Sequence, residues 1–144
     1  MSIRSRIEDA LILYKSGRYE GAFLNALVAV AATARLEDPN NTMRDGECFE
    51  TFLDKQQRGI TKIEFRGELN TVPHIFYKWF RCELVHEGGL PIDVKFIDTD
   101  DMSIRAGGAP EYVLKISRGW FHWLVNAVVV ASCNSKDFKK PFKQ

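Results

Sequence analysis

The chain has few of the residues that mark special environments. Cys48, Cys82 and Cys133 are the only cysteines among 144 residues. They are odd in number, widely spaced and form no C-x-x-C pair, which argues for reduced thiols rather than a disulfide framework or a zinc site. No apolar run approaches the ~20 residues that span a bilayer, and the longest centres on residues 127–131. The opening MSIRSRIEDALILYKSG scatters charge where a secretory signal would be uninterruptedly apolar. A cytoplasmic protein with no membrane contact is therefore expected. Neither sign of charge dominates, since 20 basic and 19 acidic residues leave +1. That balance neither marks nor excludes a nucleic-acid binder, because a local basic patch matters more than the total. No cluster of carboxylates or histidines has metal-ligand spacing, so neither metal nor cofactor is expected.

What is present is ordinary globular composition, 45% hydrophobic and 27% charged, in a length that suits one domain. A single domain is expected over residues 1–134, followed by a loose, lysine-rich tail over 135–144. Ile7, Leu11 and Tyr14 recur at helical spacing over residues 2–16, with Ser2 as cap and Gly17 as left-handed stop. Residues 19–36 carry a broad apolar stripe rich in small residues, which predicts a second helix packed closely on the first. A third helix is expected over 47–58. Residues 59–70 remain ambiguous between helix and loop, because Gly59, Thr61 and Gly67 break the pattern. A fourth helix begins near Thr71 with Pro73 in its first turn and ends at Gly88-Gly89. Residues 92–98 and 111–116 alternate and read as a β-hairpin or small meander inserted over 92–116. Ser117 then caps a last helix bearing Trp120, Phe121, Leu124 and Val128. The expected fold class is mainly α, a bundle of four or five helices with one small β insertion before the last helix.

The stretch with chemical content is Phe76-Tyr-Lys-Trp-Phe-Arg81-Cys-Glu-Leu-Val-His86-Glu-Gly-Gly. An arginine in an aromatic, apolar helix costs free energy unless its charge is paired or reaches solvent. A histidine in the last turn can change charge near neutral pH, as a general acid or base must. Five residues separate the two by about 140° around an ideal α-helix. They therefore work together only if Arg81 extends along the surface or a second subunit completes the site. The plainer reading is a surface pair, with His86 capping helix carbonyls and Arg81 bridging to Glu83 or Glu87.

Arg81-Cys-Glu-Leu-Val-His86 resembles the hallmark of the HEPN superfamily, an arginine, four to six residues, then a histidine near a helix end in a helical bundle. The resemblance implies a homodimeric, metal-independent endoribonuclease in which two motifs face one cleft. A ribose 2′-hydroxyl would attack the adjacent phosphate, with His86 moving the proton and Arg81 stabilising phosphoryl charge. It also implies RNA as the ligand, with an antitoxin or nucleotidyltransferase as partner, in a defence or toxin–antitoxin role. The motif departs from many active members at Cys82, where asparagine is common. The other reading is thus a catalytically silent module that binds RNA, a nucleotide or a protein. Lys78 and Glu83, on the same helix, are further candidates for the site. Lys55, Arg58, Lys62 and Arg66, at spacings of three, four and four, form either a basic track for phosphates or a solvated helix face. His122 is expected as a core or boundary residue, and His74 as a helix-start residue.

Overall fold

The computed structural model describes residues 2–57, 59, 61–108, 110 and 112–139. The Ser2 hydroxyl accepts the Ser5 amide at 3.1 Å and caps α1 (Ile3–Lys15). Gly17, at φ +75°, turns the chain into α2 (Tyr19–Leu36), which packs along α1. The following turn is organised by Asp38, whose buried carboxylate accepts from the Thr42 amide at 3.1 Å, the Thr42 hydroxyl at 2.7 Å and the Met43 amide at 3.0 Å. α3 (Asp45–Asp54) begins two residues earlier than its periodicity predicts and stops four earlier.

The fold class expected from the sequence does not hold. The protein is mixed α/β, with two sheets of two and three strands beside the helices. The ambiguous segment is an antiparallel hairpin, β1 (Lys62–Phe65) and β2 (Glu68–Thr71). Phe65 pairs with Glu68, leaving a two-residue loop in which Arg66 and Gly67 take φ +53° and +78°. Two successive positive φ angles are what a tight hairpin needs to match strand twist. The glycine that looked like a helix breaker is the residue that closes the hairpin.

The second sheet is not a hairpin or meander either. β3 (Val94–Ile97), β4 (Ile104–Ala106) and β5 (Leu114–Ser117) lie in the order β3-β5-β4, with β3 and β5 parallel and β4 antiparallel to β5. Val94 and Phe96 align with Leu114 and Ile116. Both strands thus turn apolar side chains to the helices and Lys95 and Lys115 to the other face. A parallel pair joins its apolar faces only through a crossover, and β4 lies on that crossover.

Between the sheets runs a continuous helix over residues 72–86, here α4. The Thr71 hydroxyl accepts the His74 amide at 3.3 Å and Pro73 sits in the first turn, as expected. The helix is not uniform: Val72–His74 is α-helical, Ile75–Cys82 is π-helical and Glu83–His86 returns to α. Gly88, at φ +78°, ends it. The last helix, α5 (Trp120–Val130), starts at Gly119 without a side-chain cap. Ser117 does not cap it: its hydroxyl donates to the Asp101 carbonyl at 2.5 Å and accepts the Ser103 amide at 2.8 Å, tying the 98–103 loop to β5. A short 3₁₀ turn, Ser132–Asn134, follows, and the buried Asn134 amide donates to Thr33 Oγ1 and to the Val128 carbonyl, both at 2.9 Å. Phe138 packs against the core and the Arg4 guanidinium donates to the Asp137 carbonyl at 3.1 Å, so the start of the lysine-rich tail is held against α1.

The core centres on Phe23 of α2, whose ring lies 5.8 Å from Phe80, 4.9 Å from Phe96 and 5.7 Å from Phe121. Tyr14 stacks on Phe121 at 4.3 Å. One aromatic cluster therefore joins α1, α2, α4, β3 and α5, and aromatic pairs at these separations add about 0.5–1.5 kcal/mol each beyond buried area.

Three aspartates give the fold a defined acid sensitivity. Hydrogen bonds from Thr42 and Met43 hold Asp38 below the ordinary carboxylate range. The Arg66 guanidinium does the same for Asp93, and the Thr99 and Ser103 hydroxyls for Asp101. In each case the unfolded chain binds the proton more readily than the folded one. This stabilisation is complete above the ordinary aspartate value of about 3.9 and is lost as pH falls through the lower folded-state values. Urea midpoints should fall steadily with acidification below about pH 4. Asp93→Asn should flatten that slope, and an unchanged slope would contradict the assignment.

Candidate functional site

Arg81 and His86 both lie on α4, on the side not buried by the aromatic core, and diverge from there. Ile75, Phe76, Trp79, Phe80 and Leu84 are buried, whereas Lys78, Val85 and His86 are exposed and Tyr77, Arg81 and Cys82 lie between. In a π-helix the backbone bonds run from i to i+5, and such segments concentrate at functional sites. The wider turn brings residues five apart together. Burial, with the neighbouring Cys82 thiol, holds the Tyr77 hydroxyl above its ordinary range, hence protonated.

Arg81, half-buried, lines a cavity of about 220 Å³ between α2, α3 and α4. Ala31, Ala32, Cys48 and Phe49 wall it, and Arg35, Asp45, Tyr77 and Arg81 bring polar groups to it. The Arg81 guanidinium carbon lies 5.7 Å from the centre of the Tyr77 ring, a cation–π contact. Its Nε is buried without an acceptor, and no carboxylate pairs with the guanidinium among the described residues. A buried donor left so costs about 1–3 kcal/mol; Arg6 and Arg118 carry an unsatisfied Nε too, but each guanidinium is paired with an aspartate. Arg35, by contrast, is fully engaged. It donates to Asn41 Oδ1 at 2.7 Å, the Met43 carbonyl at 3.1 Å and Asp38 Oδ2 at 3.3 Å, and pairs with Asp45. Gly46 gives the Tyr77 ring its place, because a Cβ there would lie 2.8 Å from Cε2. Burial pushes the Cys48 thiol up, and it donates to the Ala34 carbonyl at 3.2 Å.

His86 ends the last α-helical stretch of α4, exposed and with no side-chain hydrogen bond or ion pair among the described residues. It does not line the Arg81 cavity, and no hydrogen bond joins the two residues. The plain surface pairing of Arg81 with Glu83 or Glu87 is not made either.

The remaining candidates scatter. α3 ends at Asp54 and β1 begins at Lys62, so Lys55, Lys62 and Arg66 share no helix face. Arg58 lies outside the described residues. Lys55 pairs with Glu37 at 3.4 Å. Arg66 makes a two-pronged pair with Asp93 at 2.8 and 2.7 Å and stacks 4.2 Å from the centre of the Trp79 ring, leaving little of it for a phosphate. Lys62 is exposed at the start of β1, and the exposed Lys78 amine lies 4.9 Å from the Trp79 ring. Glu83 sits half-buried on α4. His74 begins α4 and its Nδ1 lies 3.2 Å from Glu50, while His122 is exposed against Tyr14 at 5.0 Å between ring centres. Sequence reasoning missed Arg35, Asp45 and Tyr77. Tyr77, one turn before Arg81, carried a local signal in its spacing of four, whereas Arg35 and Asp45 arrive from other helices.

Among the described residues no helix is long and apolar enough to cross a membrane. Comparison with curated proteins and with solved structures returns no match. A family model described as Rv1289 matches residues 2–140, nearly the whole chain, and the protein therefore belongs to the Rv1289 family.

Proposed function

We propose that this protein is a metal-independent endoribonuclease that acts as a cytoplasmic homodimer, with Arg81 and His86 as its catalytic pair. The observation that carries the reading is an arginine with no carboxylate partner on an aromatic helix, five residues before an exposed histidine that makes no side-chain hydrogen bond, both among the described residues. A guanidinium kept free of carboxylates is available to a phosphate. An imidazole at an open helix end is available to a proton. Within one subunit the two point to different surroundings, so the reading requires a second copy whose His86 approaches the first copy's Arg81. A ribose 2′-hydroxyl then gives its proton to one imidazole and attacks the adjacent phosphorus, and the departing 5′-oxygen takes a proton from the other. An antitoxin or nucleotidyltransferase partner, and a defence role, follow from the HEPN resemblance of this motif.

A second reading, a silent binding module, is favoured by Cys82, which stands where active members with this motif often carry asparagine. Mixed RNA substrates incubated with the purified protein in EDTA, run on native and denaturing gels, separate the two. Cleavage supports the nuclease, and a mobility shift without cleavage supports the module. Neither cleavage nor a shift would end both.

A further inference from the structure

We propose that the cavity between α2, α3 and α4 is a binding site for a small tetrahedral oxyanion of the phosphate class, held on Arg81. The proposal shares Arg81 with the cleavage reading but needs neither cleavage nor His86. Three features of the cavity lead to it. Arg81 lines it with a guanidinium that has no acceptor among the described residues and whose terminal nitrogens, unlike the buried Nε, remain accessible. The Arg81 charge is thus the one group there that calls for a ligand, since Arg35 already has its four acceptors. Its volume of about 220 Å³ falls below the roughly 300–1,000 Å³ usual for larger organic ligands, and suits an ion or an end group. Its walls at Ala31, Ala32 and Phe49 are apolar, which strengthens a charge-assisted hydrogen bond made inside.

Asp45, exposed and paired with Arg35 at the edge of the cavity, biases which oxyanion enters. A carboxylate at the cavity repels a fully ionised anion but accepts a hydrogen bond from one that keeps a proton. Inorganic phosphate keeps at least one near neutral pH, whereas sulfate keeps none. The Tyr77 hydroxyl, beside Arg81, adds a neutral polar group on the same wall. Phosphate should therefore bind in preference to sulfate.

Isothermal titration calorimetry of the full chain with inorganic phosphate, a nucleoside 5′-monophosphate and sulfate tests this. Binding of inorganic phosphate alone identifies the free ion as ligand, and binding of the monophosphate as well identifies a terminal phosphate group. Either outcome supports the site. Arg81→Gln should weaken binding on the order of 10- to 100-fold, the usual effect of losing charge-assisted hydrogen bonds. Ala32→Leu fills the cavity without touching Arg81 and should do the same if Arg81→Gln fails to fold. Phosphate binding is read by calorimetry in the absence of RNA, so loss of cleavage and loss of this site are read separately. No binding of either phosphate, sulfate binding as tightly, or parent-like affinity in Arg81→Gln or in Ala32→Leu would overturn the proposal.

Discussion

His86→Ala is expected to lower RNA cleavage roughly 10²- to 10⁴-fold, the range of a lost general acid or base. His86 is exposed and makes no side-chain hydrogen bond among the described residues, so nothing in the fold depends on it. The variant should keep its circular dichroism spectrum and its melting temperature. Arg81→Ala should cost about 10²- to 10³-fold, as for a preorganised donor that meets charge in the transition state. It removes a cation–π contact with Tyr77 and an unsatisfied buried donor together, two effects of opposite sign on stability. Initial rates on a fluorophore-labelled RNA read both variants directly. Wild-type rates in both would remove these residues from the chemistry.

The largest effect on stability is expected from Gly119→Ala. The added Cβ would lie 2.1 Å from the Asp101 carbonyl oxygen and 2.2 Å from that of Asp100. These are backbone atoms of a loop that cannot simply swing aside. The Ser117 hydroxyl holds the Asp101 carbonyl, the Trp120 indole donates to the Ser103 carbonyl at 3.2 Å, and Arg118 pairs with Asp98. Either the loop leaves the start of α5 or the helix shifts in a core that contains Phe121. Overpacking of this kind costs on the order of 3 kcal/mol, lowering the melting temperature by roughly 10 °C. Gly108→Ala, whose Cβ would meet nothing within 4 Å, is the matched control and should stay within about 0.5 kcal/mol of the parent. Equal melting temperatures for the two variants would show that the loop yields.

Much of the helical framework is legible in the sequence, because its signals are local. Ser2 and Gly17 bracket α1, the small-residue stripe of α2 fits residues 19–36, and Thr71 with Pro73 starts α4. The strands were harder for a definite reason. Arg66 occupies a left-handed position that asparagine or glycine usually marks, so KIEFRGELNT lacks the usual hairpin dipeptide. The order β3-β5-β4 depends on pairings between residues about 20 apart, which no local pattern encodes. The π-helical run in α4 likewise has no residue signature. For the site, Arg81 and His86 could be picked out because both stand on one helix. Their separation into a cavity and an open surface could not, since Arg35, Asp45 and Phe49 reach Arg81 from α2 and α3.

The central claim is that Arg81 and His86 cut RNA without a metal. The direct test is incubation of the purified protein, with its oligomeric state established by light scattering, with RNA in excess EDTA, followed by analysis of the product ends. Attack by the 2′-hydroxyl predicts fragments ending in a 2′,3′-cyclic phosphate, made by a dimer and absent with Arg81→Ala or His86→Ala. Intact RNA, or fragments that form equally well with both variants, would contradict the account.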